Sequence, residues 1–329
     1  MKVIVRTPAR LHLGILDTNG ELGRLYGGIG VAIQHPRLVL EAESDDELVC
    51  EGLDAERVSA FAQRFLQRYP LPHGARLNLK ASIPSHVGLG SGTQLALATG
   101  MALARLGNLK LTVPDIALAM QRGVHSGIGT AAFQYGGFVL DGGHRIAANA
   151  TSGGVEETPL DKTVPPTLFH YPVPETWWFV IAVPNVAPGF SGEKESSAFS
   201  SMPKTPAWLA EKISRLVLMQ MLPALIEEEL LSFGRALTEI QRLVGDCFAS
   251  AQGGRFANSV SDMLVEYFLN LGAAGAGQSS WGPTVYALTE GETSAGQIEY
   301  QAHEFLNMHG GGEAFRVHAD NQGAQLEII

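Results

Sequence analysis

The chain has 329 residues, 45% of them apolar and 17% charged, with a formal net charge of −10. That length exceeds the need of one compact domain and points to two lobes. The acidic balance argues against general nucleic-acid binding but leaves room for a small phosphorylated ligand held by local dipoles and cations. Cys50 and Cys247 belong to no C-x-x-C pair and read as free thiols of a reducing compartment; no zinc spacing occurs. No signal-peptide pattern and no run of membrane-spanning length is seen, so the expectation is a cytoplasmic protein with no membrane or nucleic-acid partner.

In chain order, residues 3–5 and 10–16 read as strands, 17–20 as a turn, and 27–33 and 38–42 as further strands. Residues 53–69 form an amphipathic helix with Val58, Phe61, Ala62, Phe65, Leu66 and Tyr69 on one face. A strand at 76–81 leads to a glycine loop and a helix over 93–106. Pro114 opens another helix that ends near Arg122. A second glycine segment, 126–137, enters a strand at 138–141. Residues 148–155 are small and polar and read as the linker between a lobe over 1–150 and a lobe over 151–329. Residues 177–183 (WWFVIAV) are a buried strand and 184–192 a loop. Residues 206–245 and 257–271 are helical. A third glycine turn at 272–283 enters a strand, and a helix at 295–307 precedes strands at 314–318 and 324–328. Strands and helices do not alternate regularly, which predicts an α+β fold.

The loop Gly88-Leu89-Gly90-Ser91-Gly92-Thr93-Gln94 places bare backbone at the entry of a helix, where N–H groups and the helix dipole favour an anion. It is no G-x-x-x-x-G-K-[ST] loop, since no lysine lies between Lys80 and Lys110, and G-x-G-x-x-G does not fit either. A plain strand-to-helix turn is the competing reading. For Ser91 and Thr93 that alternative is helix capping.

Residues 84–91, P-x-x-x-G-L-G-S, resemble the phosphate loop of the GHMP kinase superfamily. Residues 8–14 (PARLHLG) and 272–283 (GAAGAGQSSWGP) are similar to its first and last motifs, in the same order. The resemblance implies a GHMP-kinase-like two-lobed fold, with a first lobe like ribosomal protein S5 domain 2 and a ferredoxin-like second lobe. Kinases of this superfamily often carry S-G-x-D followed by Y-G-G, the aspartate taking the proton of a substrate hydroxyl. Here the stretch is Ser126-Gly127-Ile128-Gly129, with Tyr135-Gly136-Gly137 downstream, so glycine replaces the carboxylate. The second serine of the kinase loop, often near the metal, is Gly92.

These departures occur together in the β-ribofuranosylaminobenzene 5′-phosphate synthases, which long stretches such as HVGLGSGTQLALA, HSGIGTAAFQYGGFVLDGG and GQSSWGPTVYAL also resemble. The resemblance implies a decarboxylating pentosyltransferase. Its partners are phosphoribosyl pyrophosphate and 4-aminobenzoate or 4-hydroxybenzoate, its products a C-riboside 5′-phosphate, carbon dioxide and pyrophosphate, on the route to tetrahydromethanopterin. It also implies Mg2+, no organic cofactor and, by analogy with relatives, a homodimer.

On that basis His12 and His125 are the catalytic candidates. Arg10, Ser126, Gln278, Ser279, Ser280 and Trp281 are candidates for substrate binding, and Glu193, in the charged run Glu193-Lys194-Glu195, for the metal. Structural histidines, a surface arginine, a satisfied turn, a core tryptophan and a solvated charge run are the alternatives. Two other functions stay open. One is an ATP-dependent small-molecule kinase using Mg2+; the other is a descendant that binds a phosphate ligand without catalysis.

Overall fold

The structure, a computed structural model, describes residues 1–146, 163–190, 195, 197–198 and 204–329. Its first sheet is built around two long antiparallel strands, β1 (Lys2–Asp17) and β2 (Arg24–Asp45). Sequence periodicity splits each into two pieces. In the fold each runs through. The pairing slips between Pro8 and Ala9 and between His12 and Gly14, and such bulges absorb residues that cannot join a regular ladder.

Strands β3 (Leu48–Gly52) and β4 (Gly74–Ala81) extend the far half of β2, in the order β1-β2-β4-β3. The near half of β2 pairs with β5 (Phe138–Asp141) and with β6 (His144–Arg145). Helices α1 (Ala55–Arg68), α2 (Ser91–Leu106), α3 (Val113–Ala119) and α4 (Ile128–Tyr135) gather on this sheet. Helix α2 is buried on nearly every side, as its run of alanine and leucine requires.

Strand β7 (Thr167–Tyr171) pairs with β5, and β12 (Gln325–Ile328) pairs with β1 at the other edge. Both come from the part of the sequence assigned to the second lobe, so the division at residue 150 is corrected: the second half of the chain completes the first sheet. The expected linker itself, 148–155, lies outside the described residues.

The second sheet holds β8 (Trp177–Pro184), β9 (Gly275–Gln278), β10 (Val285–Glu290) and β11 (Gly312–Val317), all antiparallel, in the order β11-β8-β10-β9. With helices between the first and second and the third and fourth of these strands, this is the ferredoxin-like arrangement. Helix α5 (Ala207–Leu216) continues through a π-turn (Val217–Met221) into α6 (Leu222–Ile226). Next come α7 (Leu230–Gln252), α8 (Ser259–Asn270) and α9 (Glu292–Met308). The helical run expected to stop near 245 reaches Gln252, where Gly253 adopts the left-handed conformation that ends it.

Every residue of β8 is apolar because both of its faces are covered. Val180 and Ala182 join a core with Leu264 of α8 and Ile298 of α9. Trp177, Phe179 and Ile181 face the other way, into a core shared with β1, β2 and α7. Among the described residues no helix is long and apolar enough to cross a membrane.

Candidate active site

The three glycine-bearing motifs meet at one serine. The backbone N–H of His12 donates to Ser279 Oγ at 2.9 Å, and that hydroxyl donates to the Gly88 carbonyl at 2.7 Å. The N–H of Arg10 donates to Leu89 O at 3.1 Å, and that of Ser280 to His12 O at 3.2 Å. Gly88 has φ 93°, and a β-carbon there would meet Ser279 O at 2.4 Å, so only glycine fits.

Helix α2 then starts at Gly90, φ 83°, with no side chain capping it. The capping alternative for Ser91 and Thr93 therefore falls. The N–H groups of Thr93 and Gln94 turn back to Gly90 O, which leaves those of Ser91 and Gly92 as the outward donors of the first turn.

Two loop residues expected at the ligand do other work. Leu89 is a core side chain. Gln94 is fully buried, accepting from Thr7 Oγ1 and donating to Gly129 O at 2.8 Å, so it joins β1, α2 and α4 rather than facing a phosphate. Ser279 is also off the wall of the cavity beside this junction, while Gln278 lines that cavity with its amide already engaged. Gln278 accepts from the Ala257 N–H at 2.8 Å and donates to Ser280 O at 3.0 Å, and Ser279 is spent on the junction described above. Their amide and hydroxyl hold the third motif in place.

A cavity of about 340 Å3 opens beside this junction, between the two sheets' lobes. Arg10, His12, Thr93, Ser126, Gln278, Ser280 and Trp281 line it, all sequence candidates. His125 and Gly129 line it too, along with Arg122, Glu195, Arg255 and Phe248. Arg255 is paired with Asp246, so Arg10 and Arg122 against the one described carboxylate, Glu195, leave the wall net cationic in an acidic protein.

Arg10 donates from Nη1 to Gly88 O, while its Nε is buried without a partner. Burial pushes its pKa down to about 10, with Glu195 opposing, so it stays cationic at neutral pH. Arg122 is also pushed down to about 10, by burial and by Arg64 and Arg57. The Glu195 carboxyl is raised by burial, against the pull of Arg10, Trp281 and Arg122; it accepts from Trp281 Nε1 at 3.1 Å. Trp281 is itself 6% exposed and packs edge-on against Phe248, so it is part core and part wall.

Behind His12 lies a polar chain. His12 Nε2 is 3.1 Å from Ser126 Oγ, which is 3.5 Å from Asp141 Oδ2. Asp141 is fully buried and accepts from the N–H groups of Gly127 and Gly143 at 2.9 and 2.8 Å. Burial outweighs these bonds and lifts its pKa to about 6. His12 is pushed to about 3 by burial and then by Arg10, and His125 to about 4 by burial and His144. Both imidazoles are therefore neutral at pH 7. His125 sits edge-on to Tyr26.

The position of the kinase base is filled. A β-carbon at Gly129 would come within 2.9 Å of Thr93 Cγ2. The threonine occupies the space from which an aspartate would act.

Among the described residues no group of three or more His, Cys, Asp or Glu side chains is gathered as a metal cage. Glu195, the one described carboxylate on the cavity wall, is turned to Trp281 and faces two guanidinium groups. Asp141 is sealed behind Ser126 by backbone donors. The described donor set does not fit a protein-held Mg2+; Glu193 and Lys194 lie outside the described residues.

Sequence reasoning missed Arg122, Asp141 and Arg57, whose Nη2 lies 3.8 Å from where a β-carbon of Gly92 would stand. Arg122 ends a predicted helix and Asp141 a predicted strand, but such a position does not say what the side chain faces, and Arg57 carries no signal of its own.

Residues 56–137 match the family model described as GHMP kinases N terminal domain, and residues 221–307 match GHMP kinases C terminal. The β-ribofuranosylphenol 5′-phosphate synthase of Archaeoglobus fulgidus is 34% identical over 98% of this chain and 99% of its own length. The synthase of the same name from Methanothermobacter thermautotrophicus is 33% identical over 88% of this chain and 89% of its own. The chain belongs to the β-ribofuranosylphenol 5′-phosphate synthase family, within the GHMP kinase superfamily. Family membership makes it an enzyme of the synthase kind despite its kinase-like fold. That fold is shared with homoserine kinase from Cytophaga hutchinsonii, at a TM-score of 0.66 and 18% identity over 99% of this chain and 97% of that one.

Proposed function

We propose that the enzyme joins the ribose 5-phosphate unit of phosphoribosyl pyrophosphate to 4-hydroxybenzoate, releasing carbon dioxide and pyrophosphate, as a step toward tetrahydromethanopterin. The choice of hydroxybenzoate over aminobenzoate is supported by the relatives, which are named for a phenol product. The observation that carries the reading is Gly129, with Thr93 packed where a kinase base would stand, in a chain of this family.

The chemistry accounts for the missing base. The C1–O bond to pyrophosphate breaks with its electron pair on the leaving oxygen. The ring carbon that bears the carboxylate forms the new bond to C1. That carbon has no proton to lose; its bond to the carboxylate breaks instead, carbon dioxide departs, and the pair restores the aromatic ring. A hydroxyl-deprotonating aspartate has no task in this sequence. The needs are charge stabilisation at the departing pyrophosphate and a dry site for an oxocarbenium-like sugar. The outward N–H groups of α2 and the cavity arginines suit the first. In this reading neutral His12, braced by Ser126, accepts a hydrogen bond from the ring hydroxyl, and Arg10 faces an anionic group of substrate. In the same reading Trp281 lines the pocket for the ring.

The test supplies Mg2+, phosphoribosyl pyrophosphate and carboxyl-labelled 4-hydroxybenzoate or 4-aminobenzoate. Labelled carbon dioxide is expected from the hydroxy acid, with equimolar pyrophosphate and dependence on both substrates. Release from the amino acid alone would reassign the acceptor. No release from either, with ADP formed from ATP and a small alcohol, would return the chain to the kinases.

A further inference from the structure

Two guanidinium groups, those of Arg57 and Arg122, converge over the first turn of α2. A β-carbon at Gly92 would lie 3.8 Å from Arg57 Nη2 and 3.8 Å from Arg122 Nη1. Both cations thus look onto the same point, at the place where the helix turns its Ser91 and Gly92 N–H groups outward.

Arg57 comes from α1. Its Nη1 donates to Asp54 at 2.9 Å and to Ser85, so the other amine is the one directed at Gly92. Arg122 follows α3. Its guanidinium lies 4.9 Å from the centroid of the Phe61 ring, its Nε is buried with no partner, and it lines the cavity. Arg64, bonded to Met120 O at 3.3 Å, adds a third positive charge behind it. Glu195 is the carboxylate that opposes Arg122.

Asp54 engages one amine of Arg57 and Glu195 opposes Arg122, so the amines aimed at Gly92 are the ones left to meet a further anion. Each guanidinium presents a planar fork suited to phosphate oxygens. The helix end supplies N–H donors and positive potential on the same side.

We propose that Arg57 and Arg122 clamp the pyrophosphate group of the donor against the first turn of α2, so that arginine charge takes the leaving group. This rests on the transferase reading for its substrate. The 5′-phosphate end of the donor carries similar chemistry, and the test separates the two ends.

Calorimetric titration with inorganic pyrophosphate and, separately, ribose 5-phosphate would be run on the intact protein and on Arg57→Gln, Arg122→Gln and Arg122→Lys. Pyrophosphate affinity is expected to fall at least tenfold in each glutamine variant and less in Arg122→Lys, with ribose 5-phosphate affinity within twofold of the parent. In turnover, KM for phosphoribosyl pyrophosphate rises at least tenfold while KM for 4-hydroxybenzoate holds. Unchanged pyrophosphate binding in folded variants, loss of ribose 5-phosphate binding instead, or a parent protein that ignores pyrophosphate would each overturn the clamp. The lysine variant, which keeps the charge, distinguishes lost recognition from a damaged fold. If pyrophosphate binding falls as expected but no carbon dioxide is ever released, the clamp stands and the transferase reading fails.

Discussion

At the scale of single residues, Gly129 and Thr93 decide what chemistry the pocket lacks. Gly129→Asp is expected to abolish carbon dioxide release without creating a kinase, because the new side chain meets Thr93 at 2.9 Å. Such overpacking costs about 1–3 kcal/mol. Paired assays for labelled carbon dioxide and ADP, beside a urea melt, would check it; ADP formation would show that the base position is accessible after all. The histidines make a second prediction. His12 and His125 are held to about 3 and 4, so below the ordinary value near 6.5 the unfolded chain takes up two protons that the folded chain does not. Asp141, lifted to about 6, acts oppositely: the folded chain takes up its proton first. From these three groups alone, the unfolded state near pH 5 holds roughly one proton more, a contribution of about 1.4 kcal/mol of lost stability per pH unit as acid is added. His125→Gln removes one histidine and should flatten urea-derived stability between pH 6 and 5. An unaltered slope would mean that His125 titrates normally in the fold. The missing carboxylate at 129 was legible in sequence because a motif frames it. Thr93 as its filler was not, since that contact joins two helices 36 positions apart.

At the scale of elements, the site is a junction of β1, the loop before α2 and the turn between β9 and β10. Ser279 holds it, accepting from His12 N and donating to Gly88 O. Ser279→Ala leaves the buried His12 N–H unmatched, at about 1–3 kcal/mol, while Gly88 O keeps its bond from Arg10. We expect a stability loss of about 2 kcal/mol and weaker phosphoribosyl pyrophosphate binding, read by urea melts and by KM. A variant as stable as the parent would show that the loop holds its shape without the serine. The three motifs and their order could be read along the chain, since glycine and polar residues cluster in each. Their division of labour could not. Gln94 and Ser279 resemble ligand residues by type, yet burial turns their polar groups to Thr7 and to neighbouring backbone, because an unsatisfied buried group is costly. Arg57 is the reverse case: nothing in the helical pattern singles it out, but the fold brings it within reach of Gly92 on α2.

At the scale of the whole molecule, the lobes are knitted rather than joined. β7 and β12, from beyond residue 150, complete the first sheet, and one core runs from Val3 and Leu11 to Phe233 and Tyr286. The irregular order of strands and helices told the sequence reader that the fold is α+β. Which sheet each late strand joins depends on pairing across more than 300 positions, as between Val3 and Ile328, and short strands carry no address for that. The knitting has a measurable consequence. All four tryptophans, Trp177, Trp178, Trp208 and Trp281, lie in the second half, so their fluorescence reports that half, whereas far-ultraviolet circular dichroism reports both. If the lobes were independent, the two probes would give separate midpoints in urea. A shared core and exchanged edge strands predict one midpoint for both, because neither sheet can lose its partner strands and stay whole. Two midpoints would mean that β7 and β12 add little to the first sheet. In that case a chain ending before β12 should keep the cavity's pyrophosphate affinity, and it is that affinity, not the midpoint alone, that would show whether the site needs both lobes assembled.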